Sequence, residues 1–266
     1  NTLASVIPGV AKFDEPESPE NIIGTTAAMW ATLITGDRAS PRAVATTPDL
    51  ESKSAEMIAN ALIEYFQTEE SLAKKWHRTA MYAAHHGTGF MKVYYDPADA
   101  QVHFAPLSIH QVFLQNAERK EDVNWCVIRS MLDEDTAMRE VQLAKPDEEC
   151  EDLPEESYED SVGITRTGVA KYEIWYKPGA KYKTGLYAAI VGDVVVESME
   201  YPYIIPNGPN PPRAVLPVVW WTARHNDGAT LGTSPFFDLV ATQNALNRIN
   251  SKILKTATQS SAMLLL

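Results

Sequence analysis

Apolar positions along the chain change texture twice, first at three- and four-residue spacing and then in short alternating runs. Ile22, Ile23, Ala27, Met29, Trp30, Leu33 and Ile34 predict a helix over residues 21–37, ended by Gly36 and then Pro41. A second helix is expected to open at Thr47-Pro48-Asp49, with Thr47 as cap and Pro48 in the first turn, where its missing N–H does no harm. Met57, Ile58, Ala61, Leu62, Tyr65 and Phe66 continue it at the spacing of one buried face. Thr68 is read as the cap of a third helix, in which Leu72, Trp76, Ala80, Ala83 and Ala84 share a side.

Strand texture follows. Residues 90–95, 101–105, 111–114 and 124–131 are short β-type runs separated by Asp-Pro, Ala-Pro and charged turns. Residues 133–141 read as a short helix with acidic residues at its positive end. Residues 145–161 hold too few apolar side chains to pack, so an exposed acidic loop is expected. Strands return at 169–176, 186–191 and 194–197, and a Pro/Gly/Asn-rich crossing over 206–212 leads to a strand over 215–223. The opening, through about Glu20, reads as irregular. These connections suit an antiparallel α+β domain rather than repeated βαβ units.

The last element opens at Gly232-Thr233-Ser234-Pro235, with Ser234 expected as cap. Leu239, Leu246, Ile249, Ile253 and Ala257 form an apolar stripe, while Arg248, Lys252 and Lys255 form a basic line on a different face. No helix breaker follows for about thirty residues, roughly 45 Å. A stripe of that length needs neighbours, which predicts Leu239, Leu246, Ile249 and Ile253 at a subunit interface. The basic line has the spacing for phosphate contact, though a solvated helix face produces the same spacing.

Charge changes the picture by its distribution. The chain carries a net −12, yet between Asp133 and Asp160 thirteen acidic residues stand against Arg139 and Lys145, a net −11. From Trp221 onward the balance is +2. The whole-chain charge is therefore a poor guide to what any one surface touches. Two cysteines, Cys126 and Cys150, are too few for a disulfide framework or a cysteine zinc site, and a reducing compartment is the plain inference. No apolar run approaches the roughly 20 residues that span a bilayer, so no membrane partner is expected. No signal peptide is read at Asn1, and the apolar end Met263-Leu264-Leu265-Leu266 is read as leading into further polypeptide.

His85-His86-Gly87-Thr88-Gly89 resembles the oxyanion loop of α/β-hydrolases, but the matching elbow G-x-S-x-G is missing, since Gly232-Thr233-Ser234-Pro235-Phe236 ends in Phe. A helix C-cap with a glycine turn into a strand is the preferred reading of the run. The histidines, His77, His85, His86, His103, His110 and His225, include no HExxH or i,i+4 pair, so no metal is expected. There is no P-loop and no G-x-G-x-x-G after a strand, and no cofactor is expected. The six tryptophans sit in periodic apolar settings, which reads as core or subunit packing rather than nucleobase stacking.

Taken in order, several segments resemble the portal (head-to-tail connector) protein of tailed bacteriophages. They are an early helix followed by Pro41-Arg42-Ala43-Val44-Ala45, the helix pair ending in Trp76 and Ala83-Ala84, and Gly87-Thr88-Gly89-Phe90-Met91-Lys92-Val93-Tyr94-Tyr95-Asp96. Leu107-Ser108-Ile109-His110-Gln111-Val112-Phe113, the strand around Trp125 and Tyr172-Glu173-Ile174-Trp175 follow. Pro217-Val218-Val219 and Gly232-Thr233-Ser234-Pro235 then lead into Gln243-Asn244-Ala245-Leu246-Asn247-Arg248-Ile249-Asn250-Ser251-Lys252. Each piece is short and degenerate, and their order across nearly the whole chain carries the resemblance.

The resemblance implies a wing-like α+β domain over residues 1–229 and a stem helix over 230–266, the chain stopping before the clip, tunnel loop and crown of the family. It implies a homo-oligomeric ring, typically of twelve copies, at the capsid portal vertex of the virion. Double-stranded DNA would pass through the ring without sequence specificity, with Arg248, Lys252 and Lys255 as DNA-facing candidates. It further implies a terminase motor that docks on the ring and hydrolyses the ATP, capsid or scaffold protein around it, a tail adaptor below it, and no catalytic residue in the chain itself. The alternatives are another virion or adaptor assembly protein without DNA contact and, more remotely, a hydrolase using residues 85–89.

Overall fold

A computed structural model describes residues 21–36, 41–68, 71–97, 100–146, 153–159, 165–207 and 210–263. The fold is α+β, with antiparallel sheets and a long C-terminal helix. In chain order the helices are α1 (Ile22–Gly36), α2 (Leu50–Thr68), α3 (Leu72–His86), α4 (Glu134–Ala144) and α5 (Val240–Met263). The strands are β1 (Thr88–Asp96), β2 (Gln101–Leu107), β3 (Val112–Leu114), β4 (Trp125–Leu132), β5 (Glu155–Glu159), β6 (Thr165–Tyr176), β7 (Leu186–Val191), β8 (Val194–Met199), β9 (Ile204–Asn207), β10 (Asn210–Ala214) and β11 (Val218–Thr222). The described residues divide into two compact units, one joining residues 21–30 with 236–263, the other lying within Ala31–Pro235.

The larger unit contains a three-stranded sheet in the order β11-β1-β2 and a larger sheet in the order β3-β4-β6-β7-β8, with β5 added beside β6. Strand alternation explains how the two sheets share a core. Phe90 pairs with Trp220 and Leu107 across the small sheet, and Cys126 pairs with Trp175 and Leu114 across the large one. Phe90, Leu107, Trp220, Cys126 and Trp175, with Val112, Val123, Ile128, Tyr201 and Val218, form one buried cluster, against which the half-buried Leu114 packs. Because apolar burial scales with area, at about 25 cal/mol per Å², this cluster is the main stabilising contact between the two sheets. On the small sheet, α3 packs through Ala80, Ala83 and Ala84, all fully buried, and small side chains let the helix approach closely.

The other end of β6 builds a second cluster. Ala137 and Val141 of α4 pack with Val169, Val191 and Leu153. The α4 start follows the expected logic: Asp133 accepts from the Thr136 amide at 3.1 Å, and Glu134 and Asp135 fill the first turn.

Several local expectations are corrected. Thr47 does not cap α2; the helix starts at Leu50, and Asp49 receives both the Ser52 amide and the Thr47 hydroxyl. Aspartate is the better acceptor here because it is ionised. Thr68 does not cap α3 either. It ends α2, its hydroxyl donating back to Glu64 O at 2.8 Å, and Ser71 precedes α3 in a left-handed conformation (φ 48°). The expected acidic loop 145–161 contains a strand: Glu155–Glu159 pairs with Thr165–Val169, and Glu156 takes an ion pair from Arg129. Backbone pairing and that one charge partner outweigh the polar composition. Residues 147–152 and 160–164 lie outside the described residues. The expected crossing over 206–212 is a hairpin, β9 with β10, bulged between Asn210 and Arg213, where a run of prolines removes ladder donors. Ser234 does not cap the last helix. Its hydroxyl donates to Ala84 O at 2.6 Å, and a 3-10 turn over Phe237–Leu239 leads into α5.

In the smaller unit, α5 supplies the partner for the start of α1. Gln243 Oε1 accepts from the Ile22 and Ile23 amides at 3.1 and 3.4 Å, two donors that a helix start otherwise leaves open. Trp30 meets Phe236 edge to face, with ring centroids 6.3 Å apart.

Candidate functional sites

The structure places Arg248, Lys252 and Lys255 on α5, with Leu246, Ile249 and Ile253 on the same helix and Leu239 in the 3-10 turn before it. At about 100° per residue, the three cations fall within about 60° of one another, and the three apolar side chains centre about 125° away. Much of the apolar stripe is exposed among the described residues: Leu239 is 44% exposed, Ile249 54% and Ile253 62%. Leu246 is half-buried, and Arg248 and Lys252 are exposed. The helix thus presents two chemically distinct faces.

The His85–Gly89 run is a helix terminus joined to a strand by close backbone packing. Gly87 caps α3 with φ 87°, its N–H donating to Ala83 O at 2.8 Å. Its carbonyl accepts from Ala223 N at 2.9 Å, and Gly232 N donates to Thr88 Oγ1 at 2.9 Å. A Cβ on Gly87 would meet Gly232 O at 2.5 Å, and one on Gly232 would meet Gly87 O at 2.9 Å. The segments that resemble a hydrolase loop and elbow therefore do come together, but as a backbone clasp. The Gly87 and Gly232 amides and the Ser234 hydroxyl are all engaged within it.

Three histidine rings gather beside this clasp. His86 lies 5.2 Å from His110 and 6.4 Å from His85, centroid to centroid. Partial burial, then the charges of His110 and His85, hold His86 below its ordinary imidazole value. Among the described residues no group of three His, Cys, Asp or Glu is arranged to hold a metal ion. Nor is any helix long and apolar enough to cross a membrane.

Sequence reasoning missed a basic pocket of about 260 Å³ in the larger unit, lined in part by Lys120, Glu121, Lys177, Arg213 and Trp220. Lys120 opens a 3-10 turn over Lys120–Asp122, Lys177 follows β6, and Arg213 lies in β10. Burial first, and then the Arg213 charge, push the Lys177 ammonium below its ordinary value. No local spacing announces such a pocket, because its cations come from three distant turns and strand ends.

Compared with known proteins, the chain matches no family model and no curated protein.

Proposed function

We propose that this chain is the subunit of a homo-oligomeric portal ring at the capsid vertex of a tailed bacteriophage, through which viral DNA is packaged and ejected. The observation that carries this reading is the exposed stripe of α5, with Ile249 54% and Ile253 62% exposed on a helix whose Arg248–Lys252–Lys255 line lies on another face. A stripe of this kind is covered when equivalent helices of neighbouring copies pack side by side. The basic line is then free to face a polyanion.

The charge balance supports the same reading. A ring that is acidic overall, at −12 per copy, lets DNA slide, because each neutralised phosphate adds affinity and too many would trap it. The ring binds double-stranded DNA without sequence specificity. It docks the terminase on one side and a tail adaptor on the other, with capsid or scaffold protein around it. It has no catalytic residue of its own, the motor hydrolysing ATP.

Native mass spectrometry and negative-stain microscopy of the full chain test the reading. A closed ring with a central channel, typically of twelve copies, is expected. A monomer, a filament or a closed particle without a channel overturns it, and the last outcome points to another virion assembly protein.

A further inference from the structure

We propose that the pocket formed by Lys120, Lys177, Arg213 and Trp220 binds a phosphate dianion. The inference is independent of the ring, since every residue it uses belongs to the larger unit of one chain.

Charge is the first argument. Three cations stand against Glu121 alone, a local +2 in a chain of net −12. Glu121 offsets one of the three charges, which matches a ligand of two negative charges rather than three. A single carboxylate would leave the pocket cationic.

Hydrogen bonding is the second. Lys120 Nζ donates one proton to Trp220 O at 2.8 Å, and Lys177 Nζ donates one to Val123 O at 2.8 Å. Each ammonium carries three N–H donors, so each keeps two, while Arg213 adds a planar fork of five. Trp220 lines the pocket as well, and its carbonyl is the acceptor that holds Lys120. Two ammonium groups and a guanidinium carried on three separate elements offer more donors than a flat carboxylate uses, since one guanidinium fork satisfies it, and they suit a tetrahedral oxyanion better.

Size is the third. At about 260 Å³ the cavity is small for an organic ligand. It takes a phosphate with a short ester substituent lying against Val215 and Leu216, which also line it. The donors suit a free phosphate ion or a small phosphate monoester, both of which reach two negative charges, and the titration below separates these sources.

The full chain is titrated at low ionic strength with inorganic phosphate, phenyl phosphate and a short DNA duplex, read by calorimetry and tryptophan fluorescence. Saturable binding of inorganic phosphate is expected, weakened about tenfold in Arg213→Gln and in Lys120→Gln. Arg213 is exposed, so Arg213→Gln is expected to keep the parent circular dichroism and melting temperature. Tighter binding of phenyl phosphate assigns a small ester, whereas tighter binding of the duplex than of phosphate, lost in Arg213→Gln, overturns the assignment of a dianion. Absence of saturable phosphate binding overturns the proposal. So does undiminished binding in a folded Arg213→Gln variant, or stronger binding of a glutamate-rich peptide than of phosphate.

Discussion

Lys92 Nζ lies 2.7 Å from both carboxylate oxygens of Glu173, joining the centre of the small sheet to the centre of the large one. The two side chains are only 14% and 12% exposed. Lys92 pairs with Val218 in its own sheet and Glu173 with Ile128 in the other, so the ion pair sits within an apolar layer. Two charges in such a place stabilise little as a pair, but either one left alone is heavily penalised. Lys92→Met is therefore expected to destabilise the fold by about 3 kcal/mol. The double variant Lys92→Met/Glu173→Leu should recover most of the loss. Urea unfolding of both variants checks this, and equal stability of the single and double variants would contradict it.

The Gly87–Gly232 clasp predicts a steric effect. Gly87→Ala meets both a positive φ and the Gly232 carbonyl, so it is expected to cost about 2–4 kcal/mol. Gly228→Ala is the contrast, since its φ is 74° but nothing lies within 4 Å of an added Cβ. Backbone strain alone should cost it about 1 kcal/mol. Thermal melting of the two variants separates collision from strain.

Cys126 should be chemically inert in the folded chain. Burial first, and the Glu173 carboxylate second, push its thiol up to about 12. The thiolate is the reactive form, so almost none is present near neutrality. In a Cys150→Ser background, a thiol reagent is expected to label Cys126 only after denaturant is added. Rapid labelling of the native protein would show that the core around Trp175 opens.

The His85–His86–His110 group predicts acid sensitivity. His86 in the folded chain protonates below its ordinary 6.5. The unfolded chain then takes up that proton more readily, so stability is present above about pH 6.5 and is lost as pH falls toward the depressed folded value. His86→Gln should flatten the decline in urea midpoint between pH 7.5 and pH 5. An unchanged decline would place the acid sensitivity elsewhere.

The basic line of α5 predicts an effect on DNA. Arg248→Ala, Lys252→Ala and Lys255→Ala together should lower the log–log salt slope of duplex binding by about one for each phosphate contact removed. Packaging efficiency should fall with it. Normal packaging by the triple variant would overturn the proposal that this face meets DNA.

Much of the architecture was legible because it is local. Side-chain period reports which face is buried, so α1, α3 and the strands around Phe90, Trp125 and Trp175 stand close to their expected positions. The two faces of α5 were legible for the same reason, since residues three, four and seven apart share a side of any helix. Helix starts were less so. Thr47, Thr68 and Ser234 are all residues that cap helices, but each has a stronger competitor: an ionised Asp49, the preceding turn, and the Ala84 carbonyl.

By itself, then, the sequence determined the alternation of helices and antiparallel strands, the two chemistries of α5, and the uneven distribution of charge. Only the tertiary structure decided that Gln243 receives the first amides of α1, that Gly87 and Gly232 lock backbone to backbone, and that Lys92 finds Glu173. It alone brought Lys120, Lys177 and Arg213 to one pocket. The reason is physical: periodicity along a chain encodes which side of an element is apolar, whereas pairing across a core depends on register and on close approach. Neither leaves a mark on the spacing of neighbouring residues.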